Sequence, residues 1–158
     1  MKFIMANTFS QIYLQFVFAV EHRRNLIPAN HKEELHKYIT GLVRNRNNKL
    51  LAVHCMPDHT HLFVGFRPGS MMISDFVKEI KVESNQFINS KHWINGKFKW
   101  QNGYGAFSYS HSHIDRVAKY VLNQELHHKK RSFREEYLLL LKKFNISFDE
   151  KYLFKFYE

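Results

Sequence analysis

The chain has 158 residues, with 24 Lys plus Arg against 14 Asp plus Glu, a formal net charge of +10 that leaves its 11 histidines uncounted. Its 44% hydrophobic and 16% aromatic content excludes a disordered chain, and no apolar run approaches the roughly 18 residues of a membrane span. A single cysteine, Cys55, excludes an internal disulfide framework and a cysteine-built zinc site.

The elements follow in chain order. Tyr13 to Val20, "YLQFVFAV", is aromatic and β-branched and predicts a strand. Asn30 with Glu33 three residues on has the form of a helix cap, and Leu35, Ile39, Leu42 and Val43 recur at helical spacing to about Asn47. Leu50 to Met56 predicts a second strand, Pro57-Asp58 a tight turn, and His59 to Phe66 a third strand hairpinned to the second. Ile73, Phe76, Val77, Ile80 and Phe87 mark a second amphipathic helix ending near Trp93. The basic, aromatic loop "NGKFKWQNGYG" leads to a short strand, Ala106 to Ser110, and a helix from about His113 to His128. Ser132 and Glu135 form a capping box for a last helix, "SFREEYLLLLKKF", before an aromatic tail.

This order is β-α-β-β-α-β with added helices. It predicts an α+β, ferredoxin-like antiparallel sheet with helices on one face, in one domain with its core at about 9–128 and a C-terminal extension at about 129–158. That fold serves RNA-binding modules and enzymes alike, so function must come from a site. The N-terminus lacks the pattern of a secretory signal; with the lone cysteine this fits a reducing cytoplasm. The charge points to an anionic partner, nucleic acid first, or simply to a basic solvated surface.

"MPDHTHLFVGF", Met56 to Phe66, opens a strand with two histidines. Alternation puts His59, His61, Phe63 and Gly65 on one face and Thr60, Leu62, Val64 and Phe66 on the other, the better core face. Two adjacent imidazoles can hold a divalent cation; they can equally be surface histidines, and His54, His92, His111 and the His127-His128 pair are weaker candidates, most of them read as surface residues. In "SHIDRVAKYVLNQELHHKK" the apolar stripe is Ile114, Val117, Ala118, Val121 and Leu122. Tyr120 lies outside it and neighbours Gln124 one turn on. A phenol can be a nucleophile, and a glutamine oxygen suits Mg²⁺ or Mn²⁺; the alternative is a plain surface Tyr-Gln pair.

"MPDHTHLFV", "WQNGYGAFSYS" and "YVLNQELHH" resemble, in order and spacing, the single-tyrosine HUH transposases of small insertion sequences that move as single-stranded DNA, and the related palindrome-associated tyrosine transposases. The family's middle residue is hydrophobic; here it is Thr60, which faces away from the pair. The resemblance implies a divalent metal, Mg²⁺ or Mn²⁺, on His59, His61 and Gln124, with Tyr120 as nucleophile. It also implies a homodimer that acts on single-stranded DNA with a hairpin at the element ends, in the cytoplasm of a bacterial or archaeal cell. Tyr120 would form a 5′-phosphotyrosine and release a 3′-hydroxyl.

Candidate DNA contacts are Arg23, Arg24, Arg44, Arg46, Lys78, Lys81, Lys97 and Lys99, with Trp100 and Tyr104 as stacking platforms. A solvated charged face, or core packing for the two rings, is the other reading of each. Asp58 reads as a turn residue. Two other functions compete with the transposase: a domesticated or non-catalytic hairpin-binding repressor, which needs none of the four chemical residues, and a phosphodiesterase using activated water, which leaves Tyr120 unexplained.

Overall fold

A computed structural model describes residues 9–22, 26–69 and 71–157. Its elements are β1 (Ile12–Ala19), α1 (Lys32–Asn45), β2 (Lys49–Cys55), β3 (His59–Phe66), α2 (Ile73–Lys91), β4 (Gly105–Tyr109), α3 (Ile114–Leu122), α4 (Gln124–His128) and α5 (Phe133–Lys143). The four strands form one antiparallel sheet in the order β2-β3-β1-β4, the order a split β-α-β unit gives. The register of β2 on β3 shifts between Leu50 and Ala52. This bulge lets Leu51 and Ala52 share a face and restores alternation from Val53 onward.

α1 and α2 cover one face, packing Leu35, Ile39, Phe76 and Ile80 on Phe16, Phe18, Leu62 and Val64. The opposite face is covered as well. α3 lays Val117 and Val121 on Ala52 and Phe63, while α5 and the tail lay Phe133, Tyr137, Leu140, Leu141 and Phe154 on Val17, Ala19 and Phe107. Strand alternation explains this second layer, since it sends Val17, Phe63 and Phe107 to that side. Leaving them in water would forgo roughly 1.5–3 kcal/mol for each large side chain.

Two local expectations change. Asn30 does not cap α1. Pro28, at φ −65°, instead starts a single 3-10 turn over Ala29–His31, and α1 follows from Lys32 with no side-chain cap. The helix expected over His113–His128 breaks at Asn123, whose backbone (φ −100°, ψ 31°) leaves the helix and sets off the short α4. The Ser132 cap forms, its Oγ accepting the Glu135 N–H at 3.1 Å. Among the described residues no helix is long and apolar enough to cross a membrane.

Candidate active site

β3 brings His59 and His61 to the face that α3 and α5 cover, and both side chains are fully buried. They are not surface histidines. Each ring is aimed by a partner on Nδ1: Asp58 Oδ1 lies 2.6 Å from His59 Nδ1, and Gln15 Oε1 lies 2.6 Å from His61 Nδ1. Gln15, on the neighbouring strand β1, is itself fixed by donating Nε2–H to the Tyr109 hydroxyl at 2.8 Å. His59 also stacks on Phe133 of α5, with ring centroids 3.8 Å apart. Both Nε2 atoms are thereby turned into one pocket.

α3 and α4 bring the tyrosine and glutamine to the same pocket. Tyr120 is half-buried, its ring edge-on to His61 at 5.8 Å and stacked on His127 at 4.7 Å. The break at Asn123 turns Gln124 fully inward, with Oε1 3.3 Å from His59 Nε2 and 3.0 Å from His128 Nε2. The four chemical positions expected from sequence therefore meet within one chain.

Two further residues meet them there: Glu136, which the sequence reading did not single out, and His128, which it read as a surface residue and which is only partly exposed. Glu136, on α5 and only 3% exposed, places Oε1 3.0 Å from His61 Nε2, 3.2 Å from His128 Nε2 and 3.6 Å from His59 Nε2. Its Oε2 accepts the Tyr120 hydroxyl and the Gln124 amide, the latter at 3.1 Å. A signal for both existed. Glu136 stands inside the apolar stripe Phe133, Tyr137, Leu140 and Leu141, where a solvated acid has no reason to be. His128 lies four residues beyond Gln124 and eight beyond Tyr120, on the same side of the helix.

The pocket's electrostatics are strongly coupled. Burial works against a charged His59, but the Asp58 and Glu136 carboxylates prevail and lift its pKa to about 9. Burial dominates at His61 and lowers its pKa. Burial also opposes ionisation of Glu136, yet His61, His128 and His59 hold its carboxyl well below the usual carboxylate range. Burial, then the Glu136 carboxylate beside it, pushes the Tyr120 phenol above its ordinary value. Tyr120 is thus a protonated phenol whose hydroxyl is held by the Glu136 carboxylate.

The donor count favours a cation. An imidazole that gives its Nδ1–H outward presents a bare Nε2 lone pair inward, unless it is doubly protonated. What His59 and His61 meet inward are the acceptor oxygens Gln124 Oε1 and Glu136 Oε1. Acceptors facing acceptors at 3.0–3.3 Å need a proton or a metal ion between them. Ligand atoms of His59, His128 and Glu136 lie within 4.8 Å of one another, and the outward carboxylate and amide partners are those typical of metal-bound histidines. These residues fit a divalent ion.

The candidate DNA contacts separate into groups. Arg23 and Arg24 lie outside the described residues. Arg44, Lys78, Lys97 and Lys99 are exposed, Lys99 with Nζ 3.7 Å from Glu21. Arg46 is instead a clasp between helices, donating to Glu79 at 2.9 Å, to Glu83 and to the Leu42 carbonyl. Lys81 donates to the carbonyls of Gln101 and Gly103 at 2.7 and 2.9 Å and so pins the aromatic loop; burial lowers its pKa to about 8. Trp100 is a core residue, edge-on to Phe18 at 4.7 Å and donating to Ser84 Oγ at 3.0 Å, and Tyr104 packs partly buried against the same core, edge-on to Phe16. Apolar neighbours outcompete stacking on bases for both rings. Two cations not singled out from sequence, Lys130 and Arg131, line a cavity of about 310 Å³ with Tyr120, His127, His128 and Glu136.

An antiparallel α+β sheet carrying a histidine pair beside a helical tyrosine defines the class of protein. The chain belongs to the IS200-like transposase family, whose model, described as "Transposase IS200 like", matches residues 8–124. A protein of Deinococcus radiodurans R1, provisionally named a transposase, shares 24% identity with a TM-score of 0.59, over 78% of this chain and 98% of its own. A REP-associated tyrosine transposase bound to a REP hairpin shares 16% identity with a TM-score of 0.58, over 81% of this chain and 74% of its own. Both have this fold. None of the curated proteins matches the sequence.

Proposed function

We propose that the protein is a single-stranded DNA transposase that cuts and rejoins DNA through Tyr120, with Mg²⁺ or Mn²⁺ held by His59, His61 and Gln124. The observation that carries the reading is the convergence of Tyr120 with the two buried Nε2 atoms and the Gln124 amide in one pocket, in a chain whose family match spans all four residues. Structural histidines have no need of a half-buried phenol and a cavity beside it.

The chain's own residues perform the chemistry as follows. Lys130 and Arg131, at the cavity mouth, attract the phosphodiester of an unpaired strand. Glu136 accepts the phenolic hydrogen bond and orients the hydroxyl, whose proton is released as the phenolic oxygen attacks phosphorus. The Tyr120 O–P bond forms, the P–O3′ bond breaks, and a proton passes to the departing 3′ oxygen. The product is a 5′-phosphotyrosine and a free 3′-hydroxyl, and a second 3′-hydroxyl reverses the step without a nucleotide cofactor. A bound divalent cation would neutralise phosphate charge and polarise phosphorus.

This reading carries with it a hairpin DNA at the element ends, a homodimer and a cytoplasmic site of action. A denaturing gel tests it, using labelled single strands from both flanks of the gene, with Mn²⁺ or Mg²⁺, a chelator control and Tyr120→Phe. A covalent band that requires the metal and Tyr120 is expected. Metal-dependent cleavage that survives Tyr120→Phe would replace the tyrosine by activated water. Tight binding with no cleavage on any flank would leave a repressor.

A further inference from the structure

The C-terminal extension reaches into this pocket although the family match ends at residue 124. We propose that Glu136 of α5 is a ligand of the divalent cation through Oε1, and through Oε2 the acceptor that aims the Tyr120 hydroxyl. The extension would then be part of the catalytic centre. The proposal rests on the metal reading above and adds a ligand to it.

Three observations carry it. The first is position. The Ser132 cap starts α5, and Phe133, Tyr137, Leu140 and Leu141 fix it on the sheet, so Glu136 is driven into the pocket by the same apolar stripe that docks the helix. The second is spacing. Neighbouring ligands of an octahedral ion with bonds of about 2.1 Å lie about 3.0 Å apart. Among the proposed ligands, Glu136 Oε1 lies 3.0 Å from His61 Nε2 and 3.6 Å from His59 Nε2, and Gln124 Oε1 lies 3.3 Å from His59 Nε2. A small inward shift of these atoms brings them to the edges of such a polyhedron. The third is charge. The other donors are neutral imidazoles and an amide, and a divalent ion on neutral donors alone would sit buried and uncompensated. Glu136 supplies an anion inside the ring of donors, while Asp58 lies behind His59.

The two oxygens have different work. Oε1 faces imidazole nitrogens, whereas Oε2 faces only hydrogen-bond donors, the phenol and the Gln124 amide. One carboxylate would therefore join metal to nucleophile and set their separation before DNA arrives.

The test titrates Mn²⁺ into the full chain by calorimetry, without DNA, for wild type, Glu136→Gln and Gln124→Ala. Glu136→Gln keeps the side-chain volume and removes the anion. At least a tenfold loss of Mn²⁺ affinity is expected, with thermal melting in chelator showing that the variant is folded. Unchanged or tighter binding would overturn the proposal and make Glu136 a plug that the ion displaces. Because a variant can fail to fold, wild-type crystals grown with Mn²⁺ give an independent answer. Anomalous density within bonding distance of Glu136 Oε1 is expected; an ion on His59, His61 and Gln124 with Glu136 swung away would overturn it. Metal binding without a covalent adduct would sink the transposase reading and leave the ligand assignment standing. An adduct with unimpaired Mn²⁺ binding in Glu136→Gln would do the reverse.

Discussion

Gly105→Ala tests whether the extension is seated on the sheet as described. Gly105 lies in β4 opposite Val17, and a Cβ built there meets Phe107 Cε2, Tyr137 Cε1 and Tyr137 Oη, each at 2.9 Å. Real Cβ contacts of this kind lie at about 3.5–4.0 Å, so the Tyr137 ring must retreat by more than half an ångström. Replacing glycine by alanine in extended backbone would otherwise stabilise by about 0.4–1 kcal/mol, through the unfolded state. Overpacking costs about 1–3 kcal/mol, so the clash decides the sign, with a net loss of about 1–2 kcal/mol. For a chain of this length that is a fall in Tm of roughly 2–8 °C. Tyr137 follows Glu136 directly, so the same retreat should loosen Glu136 and weaken Mn²⁺ binding. Calorimetric melting of Gly105→Ala, Tyr137→Leu and the double variant measures the coupling. Tyr137→Leu should lose stability alone yet rescue much of the Gly105→Ala loss. An unchanged or raised Tm in Gly105→Ala would mean that α5 does not rest on β4, and the Glu136 geometry would fall with it.

The metal-free protein should lose stability with rising pH around neutrality. The folded pKa of His59 is raised to about 9, so its contribution is fully present below about pH 6.5 and disappears as pH rises through 9, with a slope of about 1.4 kcal/mol per pH unit between those values. Above pH 8 the depressed Lys81 acts in the opposite sense, so urea midpoints in chelator are compared from pH 6.5 to 8 as a difference between wild type and His59→Gln; a flat difference refutes the reading. Arg46→Ala should destabilise by roughly 1–3 kcal/mol, because it removes two carboxylate contacts between α1 and α2, and leave the salt dependence of single-strand binding unchanged. Lys130→Ala with Arg131→Ala should do the opposite, lowering the slope of log K against log salt by about 0.7 for each lost phosphate contact. Filter binding at several salt concentrations separates the two, and equal slopes in both variants would remove Lys130 and Arg131 from the DNA path.

Local periodicity was enough for the sheet and for half of the site. The alternation of "HTHLFVGF" put both histidines on one face, and the position of Tyr120 outside the stripe of α3 marked it as unlike a core tyrosine. Burial was not legible, since it depends on which face α5 covers, and no local pattern states where a helix about 70 residues later will dock. That is why His59 and His61 read as outward-pointing and are fully buried. Trp100 and Lys81 failed for the related reason that a basic, aromatic loop looks the same whether its side chains meet bases or the Phe18 and α2 surface. Asn30 lost its cap to a Pro28-led turn, a competition between two local signals that sequence cannot rank.

Burying two imidazoles has a consequence for the rest of the fold. Each lost its water, and the chain returned two outward partners, Asp58 and Gln15, and an inward set, Gln124 and Glu136. If the histidines served only packing, apolar residues of similar volume would fill the space at lower cost. The chain instead recruits donors from β1, β3, α4 and α5 and leaves the inward ones facing each other as acceptors. Such facing acceptors are satisfied by a proton or a cation held between them. The arrangement also makes the extension's docking and the site's chemistry one problem, because the stripe that holds α5 on Val17 and Phe107 is the stripe that carries Glu136.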